Sequence, residues 1–202
     1  MKFIYEEGAT PYNLDDAIHL LPKQITTQKE LNEWEQNNII LAERWLFTKR
    51  RKNIFSIEFI KSLHKKMFNL TWLWAGQLRT YQTNIGVSPY QISQNLKMLC
   101  DDVQYWISHK SFSSTEIATR FHHKLVYIHP FPNGNGRHSR LMTDALLVSL
   151  NIPRFSWGNG KFESNIEMRK AYINALKLAD IGDYSPLLTF LELPNSPNII
   201  RF

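Results

Sequence analysis

Apolar positions recur at helical spacing through most of the chain. Leu31, Trp34, Leu41 and Trp45, with Asn38 completing the row, predict one long helix through about Phe47, inside a first helical region 26–50. Thr26 or Thr27 caps it, because a threonine oxygen accepts a backbone N–H that the first turn leaves open. Ser56 opens a second helix with Phe59, Ile60, Leu63, Met67 and Phe68 on its apolar side. The spacing resumes at Leu96, Leu99, Val103 and Trp106. It returns after Ser113 or Ser114 with Ile117, Phe121, Leu125 and Ile128. Pro130 and Pro132 stop that helix, since proline lacks the N–H a helix needs. A further helix after Gly136 carries Leu141, Ala145 and Val148 to about Leu150, and residues 164–179 and 184–192 read as the last two. The expectation is about seven helices in one mainly α domain over 26–202, preceded by an irregular segment 1–25.

The period breaks over residues 72–92. Trp72, Trp74, Arg79, Tyr81 and Val87 mix there with Gly76, Gly86 and Pro89, which predicts a small β-hairpin or extended flap in place of a helix.

Composition narrows the picture. Hydrophobic residues make up 43% of the 202, enough for a real core, which excludes a mainly disordered chain. No apolar run reaches the roughly 18 residues of a membrane span, and the start, MKFIYEEGATPYN, lacks a signal-peptide pattern. The one cysteine, Cys100, excludes a disulfide scaffold and predicts a reducing, cytoplasmic setting. Lys plus Arg (24) exceeds Asp plus Glu (18), a net +6 that favours an anionic ligand or partner. The run Lys49, Arg50, Arg51, Lys52 holds part of the excess and reads as a solvated helix end. Neither a recognition-helix pattern nor RNA-binding aromatics accompany the charge, which argues against nucleic acid.

The segment 129–140, HPFPNGNGRHSR, carries the chemistry. It joins the end of one helix to the start of the next. Gly134 and Gly136 flank Asn135, and glycines let backbone approach a ligand closely. Successive N–H groups in such a bend form an anion nest, and the following helix adds the positive end of its dipole. Arg137 and Arg140 lie three apart on that helix, two guanidinium forks beside the nest, which describes a di- or triphosphate site. His129 at the edge carries a ring that can take a proton near neutral pH. The segment matches neither GxxxxGK(S/T) nor a GxGxxG after a strand.

This stretch closely resembles the Fic (Fido) family signature HPFx(D/E)GNGRxxR. Residues 32–45, 71–86 and 119–142 look like the subgroup called mobile mystery protein B. The resemblance implies a helical Fic-like core and an enzyme that transfers AMP from ATP to a Ser, Thr or Tyr hydroxyl of a target protein. It makes His129 the general base, Gly134, Asn135 and Gly136 the cradle of the α- and β-phosphates, and Phe131 a buried anchor. Arg137 would act on the leaving pyrophosphate and Arg140 on the γ-phosphate. Asn133 stands where the family has Asp or Glu. It offers Mg²⁺ a neutral amide oxygen in place of a carboxylate, which predicts weaker or water-mediated metal capture and leaves open low activity, a different nucleotide donor or transferred phosphate group, or a degenerate nucleotide-binding regulatory module, and it also suits a helix cap.

The resemblance also makes Thr83, Asn84, Ile85, Gly86 and Val87 the flap that pairs with the target segment. Many members carry an inhibitory helix, (S/T)xxxE(G/N), whose Glu pairs with the second signature arginine. Residues 31–36, LNEWEQ, match it imperfectly, and Glu35 is the candidate to face Arg140. A separate antitoxin or inhibitory partner could serve instead. Adjacent His122 and His123 point about 100° apart on a helix, so they do not share a metal ion and read as packing residues behind the loop. Trp157, Gly158, Asn159 and Gly160, with Tyr172 and Asn174, are candidates for an adenine pocket.

Overall fold

A computed structural model describes residues 18–157 and 166–192 of the chain. The described residues hold seven α-helices: α1 (Gln28–Phe47), α2 (Ile57–Phe68), α3 (Ile92–His109), α4 (Ser114–Ile128), α5 (Asn135–Ser149), α6 (Ile166–Asp180) and α7 (Ser185–Glu192). The mainly α expectation is met. Residues 1–17 of the predicted irregular segment, and Gly158, Asn159 and Gly160, lie outside the described residues. No described helix is long and apolar enough to cross a membrane.

Caps fix where the helices begin. Thr27 and Glu30 make a reciprocal capping box at α1: the Thr27 hydroxyl accepts from Glu30 N–H at 3.2 Å, and Glu30 accepts from Thr27 N–H at 2.9 Å. Ser56 and Ser113 accept first-turn N–H groups at α2 and α4. The core is a contiguous cluster in which Ile60, Leu63, Met67 and Phe68 of α2 meet Leu96 of α3, Phe121 and Leu125 of α4, and Met142 and Leu146 of α5. α4 packs on α5 with the signature loop joining them, α1 packs on α2, and α6 pairs with α7. The first turn of α5 therefore follows directly on a loop anchored to this core.

Two expectations change. The long helix is where its spacing placed it, but its buried face is Leu31, Glu35, Asn38, Ala42 and Leu46, while Trp34 and Leu41 stand exposed. The inward stripe thus carries two polar residues. Asn38 binds the end of α2, donating to Lys66 O at 3.0 Å and accepting from Leu70 N–H at 2.9 Å.

The predicted hairpin is absent from 80–90. The one isolated β-bridge among the described residues joins Leu20 to Trp72, with Leu21 N–H on Thr71 O at 2.9 Å and Leu73 N–H on His19 O at 3.0 Å. Residues 80–88 form an irregular loop whose carbonyls are taken by side chains. Thr83 donates to Ile85 O at 2.6 Å, Gln82 to Thr83 O and Gly86 O, and Arg79 to Tyr81 O and Val87 O. Carbonyls satisfied in this way are not available for a strand ladder.

Candidate active site

α4 ends on His129, which caps it in the left-handed region (φ 53°, ψ 59°) and donates its N–H to Leu125 O at 3.3 Å. A non-glycine residue there turns the chain sharply and persists only where neighbours hold it. The holders are close. Asn135 clamps the peptide of Phe131 from both sides, accepting from Phe131 N–H at 2.9 Å and donating to Phe131 O at 2.8 Å. The Phe131 ring is fully buried and stacks on His64, with centroids 3.7 Å apart. Gly76 N–H donates to His64 Nδ1 at 2.9 Å, so Nε2 carries the proton and donates to Asn133 O at 3.1 Å. Burial holds His64 neutral, far below the usual histidine range.

The two glycines serve different needs. Gly134 has φ +75°, and a Cβ there would lie 2.5 Å from the Phe68 ring, so both backbone and packing demand glycine. At Gly136 a Cβ would meet only Arg140 Nη1, at 3.8 Å. No other described residue comes within 4 Å of that position, and the N–H groups of Asn135 and Gly136 meet no acceptor among the described residues. The bend is thus pinned by side chains while its outward amides stay open at the positive end of α5, which suits an anion.

The His129 imidazole is buried beside this bend. Burial, and then the positive charge of Arg79, push its pKa down to about 4, against the opposing pull of the Val126 backbone. The ring is therefore neutral near pH 7 and has a lone pair to offer. Arg79 is itself only 2% exposed. It donates to His129 O at 2.7 Å, Tyr81 O at 2.9 Å, Val87 O at 2.5 Å and Ile128 O at 3.4 Å.

On the other side of the bend, Arg137 Nη1 donates to Glu35 Oε2 at 2.5 Å, and Trp72 Nε1 donates to Glu35 Oε1 at 2.6 Å. Glu35 is 1% exposed. A buried acid from α1 thus occupies the fork of a loop arginine.

Comparison with known proteins places this geometry. Residues 54–147, from the start of α2 through the loop into α5, match the Fic/DOC family. The chain carries a Fic/DOC family domain. It is 29% identical over 155 residues to protein adenylyltransferase fic-1 of Caenorhabditis elegans, an alignment covering 73% of this chain and 28% of that protein. The chain therefore spans under a third of the length of that relative. By structure it resembles the N-terminal FIC domain of Bep8 from Bartonella sp. 1-1C, with TM-score 0.70, 18% identity and 87% and 89% of the two chains covered. It also resembles BepC of Bartonella tribocorum, solved with bound AMPPNP, with TM-score 0.66, 20% identity and 85% and 89% covered.

Within the Fic domain, His129, Phe131, Asn133, Gly134, Asn135, Gly136, Arg137 and Arg140 sit together on one bend. Glu35 is drawn in from a distance of about a hundred residues, but its ion pair is with Arg137 rather than Arg140, one signature arginine earlier than expected. The side chain of Asn135 is spent on Phe131, so only its backbone faces a ligand. Asn133 Oδ1 accepts the N–H of its neighbour Gly134 at 2.6 Å, but the cap the sequence allowed is not formed: Gly134 is the N-cap of α5, and no side chain accepts from the first turn there. That oxygen is uncharged and already engaged, and the described residues hold no group of three or more His, Cys, Asp or Glu that could hold a metal ion.

Gly86 and Val87 of the flap touch the site directly. Gly86 (φ +103°) leaves no room for a Cβ, which would lie 2.6 Å from His129 Cβ, and Val87 N–H reaches Ile128 O at 3.4 Å. Thr83, Asn84 and Ile85 form the outer part of the same loop. Of the adenine candidates, Trp157 donates to Asp144 at 2.9 Å and packs against His122, Tyr172 bonds His122 at 2.7 Å, and Asn174 is exposed on α6.

Sequence reasoning missed His64 and Arg79. His64 had a signal: it is the one polar side chain within the apolar face of α2. Arg79 had none, because its segment has no period from which an inward position can be read.

Proposed function

We propose that this protein is a protein adenylyltransferase that moves AMP from ATP to a Ser, Thr or Tyr hydroxyl of another protein. The observation that carries this reading is the bend itself: open amides of Asn135 and Gly136 at the start of α5, space where a Gly136 side chain would be, and a neutral buried imidazole beside them. The names of the relatives and the AMPPNP bound to BepC support it. In the proposed step, His129 takes the proton of the acceptor hydroxyl as its oxygen attacks the α-phosphorus. A P–O bond forms, the bond to the β-phosphate oxygen breaks, and pyrophosphate leaves with its charge met by Arg137 and Arg140. The loop 83–87 aligns the acceptor segment against His129. Mg²⁺ would come with the triphosphate, whose oxygens would supply most of its ligands, and Asn133 is the residue that would hold it on the protein side. Glu35 on the Arg137 fork makes the resting enzyme inhibited until nucleotide or a partner displaces it. The likeness to mobile mystery protein B extends this to a toxin-like cytoplasmic role with an antitoxin partner.

Asn133 favours a second reading, a nucleotide-binding regulatory module without transfer. Incubation of the chain with lysate and ATP labelled at the α- or the γ-phosphate separates the readings. α-Label on a protein band, lost in His129→Ala, supports adenylyl transfer. γ-Label alone shows transfer of another phosphate group. Tight ATP binding without label, also in Glu35→Gly, leaves the module.

A further inference from the structure

We propose that Arg79 is a positioning residue for the transfer step: its guanidinium fastens both ends of the 81–87 loop to the backbone on which His129 stands, and so sets the gap where an acceptor hydroxyl meets the imidazole. This rests on the reading of His129 as the base and assigns a role to a residue outside the signature.

The case begins with an energetic oddity. A buried guanidinium is costly unless its charge is paired, yet Arg79 has no carboxylate partner among the described residues. A residue needed only for packing would be apolar. Instead the planar fork reaches four carbonyls in two groups, Tyr81 and Val87 on the loop, Ile128 and His129 at the end of α4. A lysine ammonium has one nitrogen and cannot span that fan. The backbone of Arg79 adds a bond to Pro130 O at 2.9 Å. The left-handed turn at His129 is held at its own carbonyl by Arg79 Nε. Tolerances are small on this side: a Cβ on Gly86 would lie 2.6 Å from His129 Cβ and 2.8 Å from Arg79 Nη2. The loop, the arginine and the histidine backbone are therefore joined by direct bonds. Arg137, Arg140 and Glu35 flank the bend; burial is the main reason the His129 ring stays unprotonated, and the charge of Arg79 adds to it.

Arg79→Lys and Arg79→Met in the full chain test this. AMP transfer from α-labelled ATP in lysate should fall about 100-fold in both, the scale of a 1 Å misplacement, while ADP affinity by calorimetry stays within about threefold. The titration of the His129 ring followed by NMR, identified by its loss in His129→Ala, should move up in Arg79→Met and stay in place in Arg79→Lys, which keeps the charge. A role in packing alone would lower thermal stability, ADP affinity and transfer together and leave the ring titration of folded protein unmoved. That pattern, or wild-type transfer by Arg79→Lys, overturns the proposal. If the wild-type chain labels nothing, the adenylyl-transfer reading fails by itself. The ring titration then still decides Arg79: a shift in Arg79→Met supports its hold on His129, and no shift refutes it.

Discussion

Glu35→Gln isolates the charge that α1 brings to the signature loop. Glutamine keeps the length of the side chain and an acceptor for the Trp72 indole, so the surroundings need not rearrange. What it removes is the anion 2.5 Å from Arg137. Two unit charges about 4 Å apart interact by about 4 kcal/mol at an effective dielectric of 20 and about 1 kcal/mol in water. Glu35 is buried but Arg137 is 26% exposed, so the pair falls between these limits. A charge-assisted hydrogen bond is worth about 1.5–3 kcal/mol net and a neutral one about 0.5–1.5 kcal/mol, which leaves a relief of roughly 1–1.5 kcal/mol. At 1.4 kcal/mol per factor of ten, a non-hydrolysable ATP analogue that needs the Arg137 fork should bind Glu35→Gln roughly tenfold more tightly. Calorimetry at pH 7 measures this directly, and the gain should shrink as salt is raised because the arginine is partly solvated. AMP transfer should rise at least in parallel. Equal affinity in the two proteins would show that the ion pair does not compete with phosphate. Weaker binding by the variant would make Glu35 part of the nucleotide site and reverse the argument.

The two loop glycines should part company. Gly136→Ala gains up to about 0.5–1 kcal/mol of helix stability, seen as a higher melting temperature, yet loses about tenfold or more in nucleotide affinity as its methyl fills the cradle. Gly134→Ala should lose about 1–3 kcal/mol or more of stability, because φ +75° and the Phe68 ring both resist a side chain. Asn133→Asp preserves the bond to Gly134 N–H and adds a negative charge, so half-maximal transfer should need less Mg²⁺; an unchanged Mg²⁺ requirement would exclude this position as a metal contact. Acid should destabilise the fold. Burial holds His122 and His138 down at about 3, His129 at about 4, and His64 well below its usual value, whereas an unfolded histidine titrates near 6.5. Between those values the unfolded chain binds more protons. Stability is therefore full above about pH 6.5 and falls by up to about 1.4 kcal/mol per pH unit per histidine as pH drops. Asp144, raised to about 6 by burial, runs the other way between about pH 4 and 6 and offsets one of the four. Calorimetric melting at pH 7 and pH 5 should show the net loss.

Helix number, helix starts and the signature bend were legible because each has a local cause. Ser56, Ser113 and the Thr27–Glu30 box cap their helices within four residues, and the two glycines with two arginines form a short, contiguous pattern. The face of α1 was not legible. A carboxylate and an amide in the inward stripe look like defects until Arg137, Trp72 and the end of α2 are brought beside them. The hairpin form of the flap was not met for a related reason. Its composition suits strands, but its carbonyls are claimed by Arg79, Gln82 and Thr83, and a guanidinium gathering carbonyls from residues 81, 87, 128 and 129 leaves no trace in sequence spacing. Contacts between distant segments decided both points, and periodicity reports only on near neighbours.

On the proposed reading of His129 as the base, its surroundings also bear on when it could take a proton. Burial, and then the positive charge of Arg79, hold His129 at about 4. Such a ring is deprotonated but weakly basic, and proton transfer is best served by a pKa near the working pH. A bound triphosphate changes the balance, because its several negative charges would favour the imidazolium and raise the ring toward neutrality. Glu35 contributes a single charge, on the Arg137 side of the bend, and cannot do the same. The nucleotide would then be more than the donor of AMP: by entering the nest it would bring its own base into range, so an empty site would be a poor acceptor of stray protons and a filled one a competent catalyst. A His129 titration that rises on ADP binding would bear this out. One that stays at its empty-site value would place the proton's destination elsewhere.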